Sequence, residues 1–140
     1  ITMNNLSIVS LKQLLEHILY LRKEHTTTYQ RIWFDTPLLR TPEWQSMQIL
    51  PKSYQQCLWD CINFMNDNLD EMHGFKDYEV LKMRRDLQWM QEGTPDIERK
   101  QADFYRFFSE HDRRRDTNFL ETFPEMTEFW SLCKYNANRS

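Results

Sequence analysis

Glycine is nearly missing from this chain, and its two occurrences mark where helices end. Of 140 residues only Gly74 and Gly93 are glycine. Glycine-rich phosphate loops and repeated tight hairpins both need the positive φ that glycine reaches freely, so neither suits this sequence. Each glycine instead closes a helical pattern. Tyr54, Leu58, Cys61/Ile62, Met65, Leu69 and Met72 form one apolar stripe from Ser53 onward, and it stops at Gly74. Asp77 to Gln91 carries Tyr78, Leu81, Leu87 and Met90 and stops at Gly93, as glycine-terminated helices do.

The pattern continues to the end of the chain. Thr94-Pro95-Asp96 sets a cap, a first-turn proline and an acid near the positive helix end, opening a helix to about Arg115. Pro124-Glu125 opens a last short helix through about Lys134. TPEW, TPDI and FPEM repeat only the chemistry of a first turn; their spacings differ, and no repeat is read.

The N-terminal third reads otherwise. Ile1 to Val9 is rich in apolar and β-branched residues and predicts a strand. Ser10 with Gln13 predicts a capping box, and Leu11, Leu14, Leu15, Ile18 and Leu21/Arg22 predict an amphipathic helix. Lys23 and His25 suit its C-terminal dipole. A threonine run at 26–28 connects to RIWFD (31–35), a second short strand. Strand, helix and strand make a parallel βαβ unit. TPLLRTPEWQSMQILPK, with three prolines, is an irregular connection. The expected fold is therefore α/β at the N-terminus followed by a mostly α-helical C-terminal region, divided at 1–50 and 51–140. Because the chain opens directly on a strand without an initiator methionine, it is expected to be a piece of a longer protein with strands upstream.

Composition removes several function classes. A net charge of −3 exerts no general pull on nucleic acid or an anionic membrane. No apolar run approaches the roughly 20 residues that span a bilayer. Three cysteines cannot all pair, which predicts a reducing, cytoplasmic setting.

The chemistry-bearing residues form few patterns. Cys57 and Cys61 share a helical face, and His73 or Cys133 would be needed to complete a zinc site. Their neighbours Tyr54, Leu58, Ile62 and Met65 make buried hydrophobes the better reading. His111-Asp112 resembles the metal dyad of HD phosphohydrolases, without the further histidine and aspartate that family needs. Asp70-Glu71 lies where charge is ordinarily solvated. No nucleophile elbow, P-loop or dinucleotide fingerprint is present. Around SEHDRRRDTNF, Arg106, Arg113, Arg114 and Arg115 meet Asp103, Glu110, Asp112 and Asp116, four charges against four. A nucleic-acid stripe requires a positive excess, and Phe104, Tyr105, Phe107 and Phe108 fall at helical spacing that suits a core. No nucleic-acid or membrane partner is expected.

Two segments carry a resemblance. In ITMNNLSIVS, the residues Ile1, Met3, Asn4, Leu6, Ile8, Val9 and Ser10 follow, in order, a pattern similar to a late barrel strand of radical S-adenosylmethionine enzymes of the SPASM/twitch group. FYRFFSEHDRRRDTNFLETFPEMTEFW resembles a tail segment of the twitch-type members. The resemblance covers most of the chain, with WFDTPLLRTPEWQSMQILPK as the close of a partial (β/α) barrel. It implies an intact parent that uses S-adenosylmethionine and an iron–sulfur cluster to abstract hydrogen from a substrate. The family's C-x3-C-x2-C motif is absent here; CLWDC lacks a third cysteine and follows the strands. The implied role is thus that of a C-terminal part that supports cofactor or substrate binding and is inactive alone. Its implied partners are the missing N-terminal part or a protein or peptide substrate. By strand pattern Asn4 and Leu6 would face the cofactor, and Asp35 would sit at the mouth of the next strand; an ordinary strand interior and a turn-forming aspartate are the plain alternatives. The competing function is a mostly helical protein–protein interaction module, which would show exposed aromatic surface.

Overall fold

The computed structural model describes residues 1–26 and 32–139. The threonine connector beyond Thr26 and Arg31, the first residue of the expected second strand, lie outside the described residues. Among the described residues six α-helices follow in order: α1 (Leu11–His25), α2 (Gln55–Asn66), α3 (Asp77–Glu92), α4 (Ile97–Arg115), α5 (Phe119–Thr122) and α6 (Thr127–Arg139). Short 3-10 turns at Glu43–Gln45, Met47–Ile49, Lys52–Tyr54 and Pro124–Met126 carry the chain between them.

The α/β expectation for the N-terminus is overturned. Among the described residues there is no β-strand, hence no sheet and no partial barrel. What joins the first segment to the later one is a single parallel bridge between Met3 and Leu38. It is made by Met3 N–H donating to Pro37 O at 2.7 Å and Leu39 N–H donating to Met3 O at 2.9 Å. The reason lies in Asn4. Its Oδ1 accepts from the backbone N–H of Leu6 at 2.8 Å and Ser7 at 3.1 Å. This Asx turn offers the backbone a local partner in place of a ladder. Residues 5–10 coil into turns, and the β-branched run never extends. The capping box at Ser10 is not formed either; Ser10 Oγ donates to Ser7 O at 3.3 Å instead.

The helices follow the sequence pattern in position and depart from it in phase. α1 buries Leu11, Leu15, Ile18, Leu19 and Arg22. α2 ends at Asn66, eight residues before Gly74, so Leu69 and Met72 lie in an exposed turn. Gly74 is nonetheless obligatory there: a Cβ would stand 2.2 Å from Asn68 O. α3 stops at Gly93, whose φ of 71° and ψ of −167° suit glycine alone. α6 starts after the Pro124 turn and runs five residues past the expected end, to Arg139.

One core joins these pieces, with Met3, Ile8 and Leu15 at one end and Phe104, Phe129 and Cys133 at the other. α4 and α6 meet through aromatic rings, Phe104 to Phe129 at 4.8 Å and Tyr105 to Trp130 at 4.8 Å between centroids. Buried amides tie the same seam. Asn136 Nδ2 donates to Gln101 Oε1 at 2.7 Å, and Gln101 Nε2 donates to Ile49 O at 2.7 Å. Among the described residues no helix is long and apolar enough to cross a membrane.

Candidate functional site, a charged hollow beside the third helix

The last turn of α1 brings in an arginine with no solvent exposure. Arg22 forms a two-pronged pair with Glu79, Nη1 to Oε1 at 2.8 Å and Nη2 to Oε2 at 2.7 Å. It also donates to Ile32 O, from Nε at 3.0 Å and Nη2 at 2.9 Å, and to Gly74 O at 3.0 Å. The rings of Phe34 and Phe75 cover the guanidinium, at 5.1 Å and 5.6 Å. Glu79 reaches back to accept from Lys76 N–H at 3.0 Å, closing the first turn of α3. A buried guanidinium is tolerated only when its donors are used, and this one fastens α1, residues 32–34 and the Gly74 turn to α3.

That fastening sets residues 34–36 against the outer face of α3. Asp35 Oδ1 accepts from Thr36 N–H at 2.8 Å. Thr36 Oγ1 donates to Asp86 Oδ2 at 2.7 Å. Asp86 is buried, and its nearest cation, Lys82 Nζ, stands 3.8 Å from Oδ1. Burial pushes the Asp86 carboxyl above its ordinary value, against the lowering pull of the Thr36 hydrogen bond and Lys82, while the nearby Asp35 charge adds to the rise. Above these groups lies a hollow of about 260 Å³, lined by Phe34, Asp35, Thr36, Tyr78, Leu81 and Lys82, with Arg85 beside them. Tyr78 is 49 % exposed and Leu81 48 %. Trp33, next to Phe34 in the chain, is 74 % exposed.

Of the residues singled out from sequence, Asp35 lines this hollow and Asn4 and Leu6 do not. Asn4 builds the N-terminal turn, and Leu6 packs against the core. Sequence reading missed Arg22, Glu79 and Asp86. A signal for the acids exists: Glu79 and Asp86 are seven apart, in the same stripe as Val80, Met83, Leu87 and Met90, and all six are buried. Tyr78 and Leu81, read as core, face outward instead.

The remaining candidates are occupied by structure. Among the described residues no group of three His, Cys, Asp or Glu is placed to hold a metal ion. Burial raises all three thiols above their ordinary value, Cys61 to about 12, as expected of small side chains packed in or against the core. His111 Nδ1 lies 3.9 Å from Asp112 Oδ1. Asp112 spends its oxygens on Thr117 Oγ1 at 2.7 Å and Phe119 N–H at 2.9 Å, forming the turn into α5. Glu110 accepts from Arg113 at 2.9 Å and Arg114 at 2.8 Å, and these hydrogen bonds lower its carboxyl to about 2. Trp44, Trp89 and Trp130 pack half-buried on the core, and Trp59 is 38 % exposed.

Comparison with known proteins finds no family model that matches the chain, no similar curated protein and no similar solved structure.

Proposed function

We propose that this chain is a docking segment with no catalytic centre of its own, the C-terminal part of a radical S-adenosylmethionine enzyme. The observation that carries the docking reading is the rim of the hollow beside α3. Tyr78 and Leu81 stand about half exposed there, with Phe34 beside them in the lining, and Trp33, next to Phe34 in the chain, is exposed as well. Large apolar side chains gathered at one concave place mark a surface that a partner covers. Lys82, Arg85 and Asp35 on the same wall supply charges that would fix orientation. The resemblance supplies the partner: the catalytic remainder of the same enzyme, or a peptide substrate held against it. It rests on the FYRFF to EFW stretch, which here forms most of α4 and the start of α6. The S-adenosylmethionine and cluster chemistry belongs to that remainder. Three cysteines free of disulfides suit a reducing, cytoplasmic setting.

A second reading, a helical interaction module serving an unrelated protein, draws on the partly exposed Trp59 and the helical fold. One experiment separates the two. The intact gene product is reconstituted anaerobically with iron and sulfide and followed by visible absorbance. The first reading expects a cluster band that survives Cys57→Ser and Cys61→Ser. A colourless product contradicts it and leaves the interaction module.

A further inference from the structure

A second hollow, unconnected with the docking reading, lies where the connection after Pro37 crosses the start of α4. It measures about 210 Å³, and Arg40, Glu43, Ser46, Gln48, Trp89, Thr94 and Lys100 line it. That volume is below the range of sites for drug-sized ligands and suits a small ion or a single head group.

Three hydrogen-bond donors converge there without being used up. The Lys100 side chain is 8 % exposed, so its ammonium is held away from water. It donates to Thr94 Oγ1 at 2.5 Å, and its nearest carboxylate, Glu43, stands 3.6 Å away. An ammonium carries three donors, and among the described residues the second contact is too long for a hydrogen bond and the third is unused. Ser46 is 6 % exposed; its Oγ accepts from Gln48 N–H at 3.1 Å, leaving the hydroxyl proton without an acceptor among the described residues. Arg40 lies 5.6 Å over the ring of Trp89, and none of its five N–H donors has a hydrogen-bond partner among the described residues. A buried cation and a buried hydroxyl left short of acceptors are costly, and an anion in the hollow would relieve both.

The charge balance agrees. Arg40 and Lys100 face Glu43, a surplus of one positive charge in the lining. Glu43 is itself bracketed, with Arg99 Nη2 at 3.3 Å on its other side. Thr94 lies just ahead of α4, whose 19 residues direct a partial positive charge toward this end.

We propose that this hollow binds a phosphate group, with the Arg40 guanidinium, the Lys100 ammonium and the Ser46 hydroxyl as its donors. Arginine's planar fork matches phosphate oxygens, while lysine and serine approach from the buried side. The phosphate would come either as the free ion or as a monoester on a larger molecule.

The test is a chemical-shift titration of the full chain with inorganic phosphate, with phosphoserine and with acetate, ionic strength held constant with chloride. Saturable shifts at the amides of Ser46, Gln48 and Thr94 are expected with phosphate or phosphoserine, and at least tenfold weaker binding of acetate. Tighter binding of phosphoserine identifies a monoester; tighter binding of inorganic phosphate identifies the free ion. Arg40→Gln, an exposed change, is expected to weaken phosphate at least tenfold without moving the melting temperature, and Lys100→Met serves as the buried counterpart. No saturable shift, acetate binding as tightly as phosphate, or unchanged phosphate binding in Arg40→Gln would each overturn the assignment.

Discussion

At the scale of single residues, Arg22 and Glu79 decide how the N-terminal third is held. Removing one partner of a buried pair strands the other charge, at a cost of about 3–5 kcal/mol. Arg22→Ala is therefore expected to lose that much in urea unfolding. Replacing both by methionine should recover only part, because Arg22 also satisfies Ile32 O and Gly74 O. Full recovery in the double variant would show those carbonyl bonds to be inert. Asp86 adds a pH dependence. Its carboxyl is raised in the folded chain, so the folded state keeps a proton that the unfolded chain releases. Stability is greatest below the ordinary carboxylate value and falls as pH rises through the raised one. Asp86→Asn keeps an acceptor for Thr36 and removes that fall; the check is melting temperature against pH for both proteins, and parallel curves would remove Asp86 as the cause. These residues were hard to see in the sequence because charge usually signals surface. Only the seven-residue spacing of Glu79 and Asp86 within an apolar stripe hinted otherwise.

At the scale of elements, the stop of α3 at Gly93 was legible, while the end of α2 and the faces of the helices were less so. Gly93 stops α3 because its backbone lies where a Cβ is not tolerated. Gly74 acts by space rather than by dihedral: Asn68 O, which accepts from Phe75 N–H at 2.9 Å, blocks any side chain. Gly93→Ala should cost about 2 kcal/mol, and Gly74→Ala about 3 kcal/mol, since the clash is with a pinned carbonyl. Urea midpoints of the two variants check the order, and equal losses would contradict it. The stop at Gly93 was readable because capping chemistry is local, whereas the expected Thr94 cap is not formed: α4 starts at Ile97, behind Asp96 in the left-handed region and without a side-chain cap bond. The phase of α3 was not readable, because Tyr78 and Leu81 are apolar yet uncovered in the folded chain. The N-terminal strand failed for a related reason. β-propensity in residues 1–9 is real, but among the described residues no neighbouring strand rewards it, and the Asn4 side chain captures the backbone first.

At the scale of the whole molecule, the core runs without interruption from Met3 to Cys133. Tyr54 ties the turn before α2 to the start of α6. Its hydroxyl donates to Glu125 O at 3.3 Å and accepts from Phe129 N–H at 3.4 Å. A shared core predicts one cooperative transition, so far-ultraviolet dichroism and tryptophan fluorescence should trace the same unfolding curve; two separated midpoints would show that the ends fold apart. Of the candidate site, Asp35 was singled out as lying at the mouth of a barrel strand, whereas among the described residues it lines the hollow with no strand beneath it. The hollow itself was not legible, since it is made by α1 anchoring residues 32–36 onto α3 across long stretches of sequence. The claim that this hollow is a covered surface is tested most directly by hydrogen exchange, comparing residues 32–36 and 78–85 in this chain alone and in the longer, intact protein that the proposed function calls for. The account predicts slower exchange of both segments in the intact protein, with the backbone of α6 unchanged. Equal exchange in both segments would contradict it.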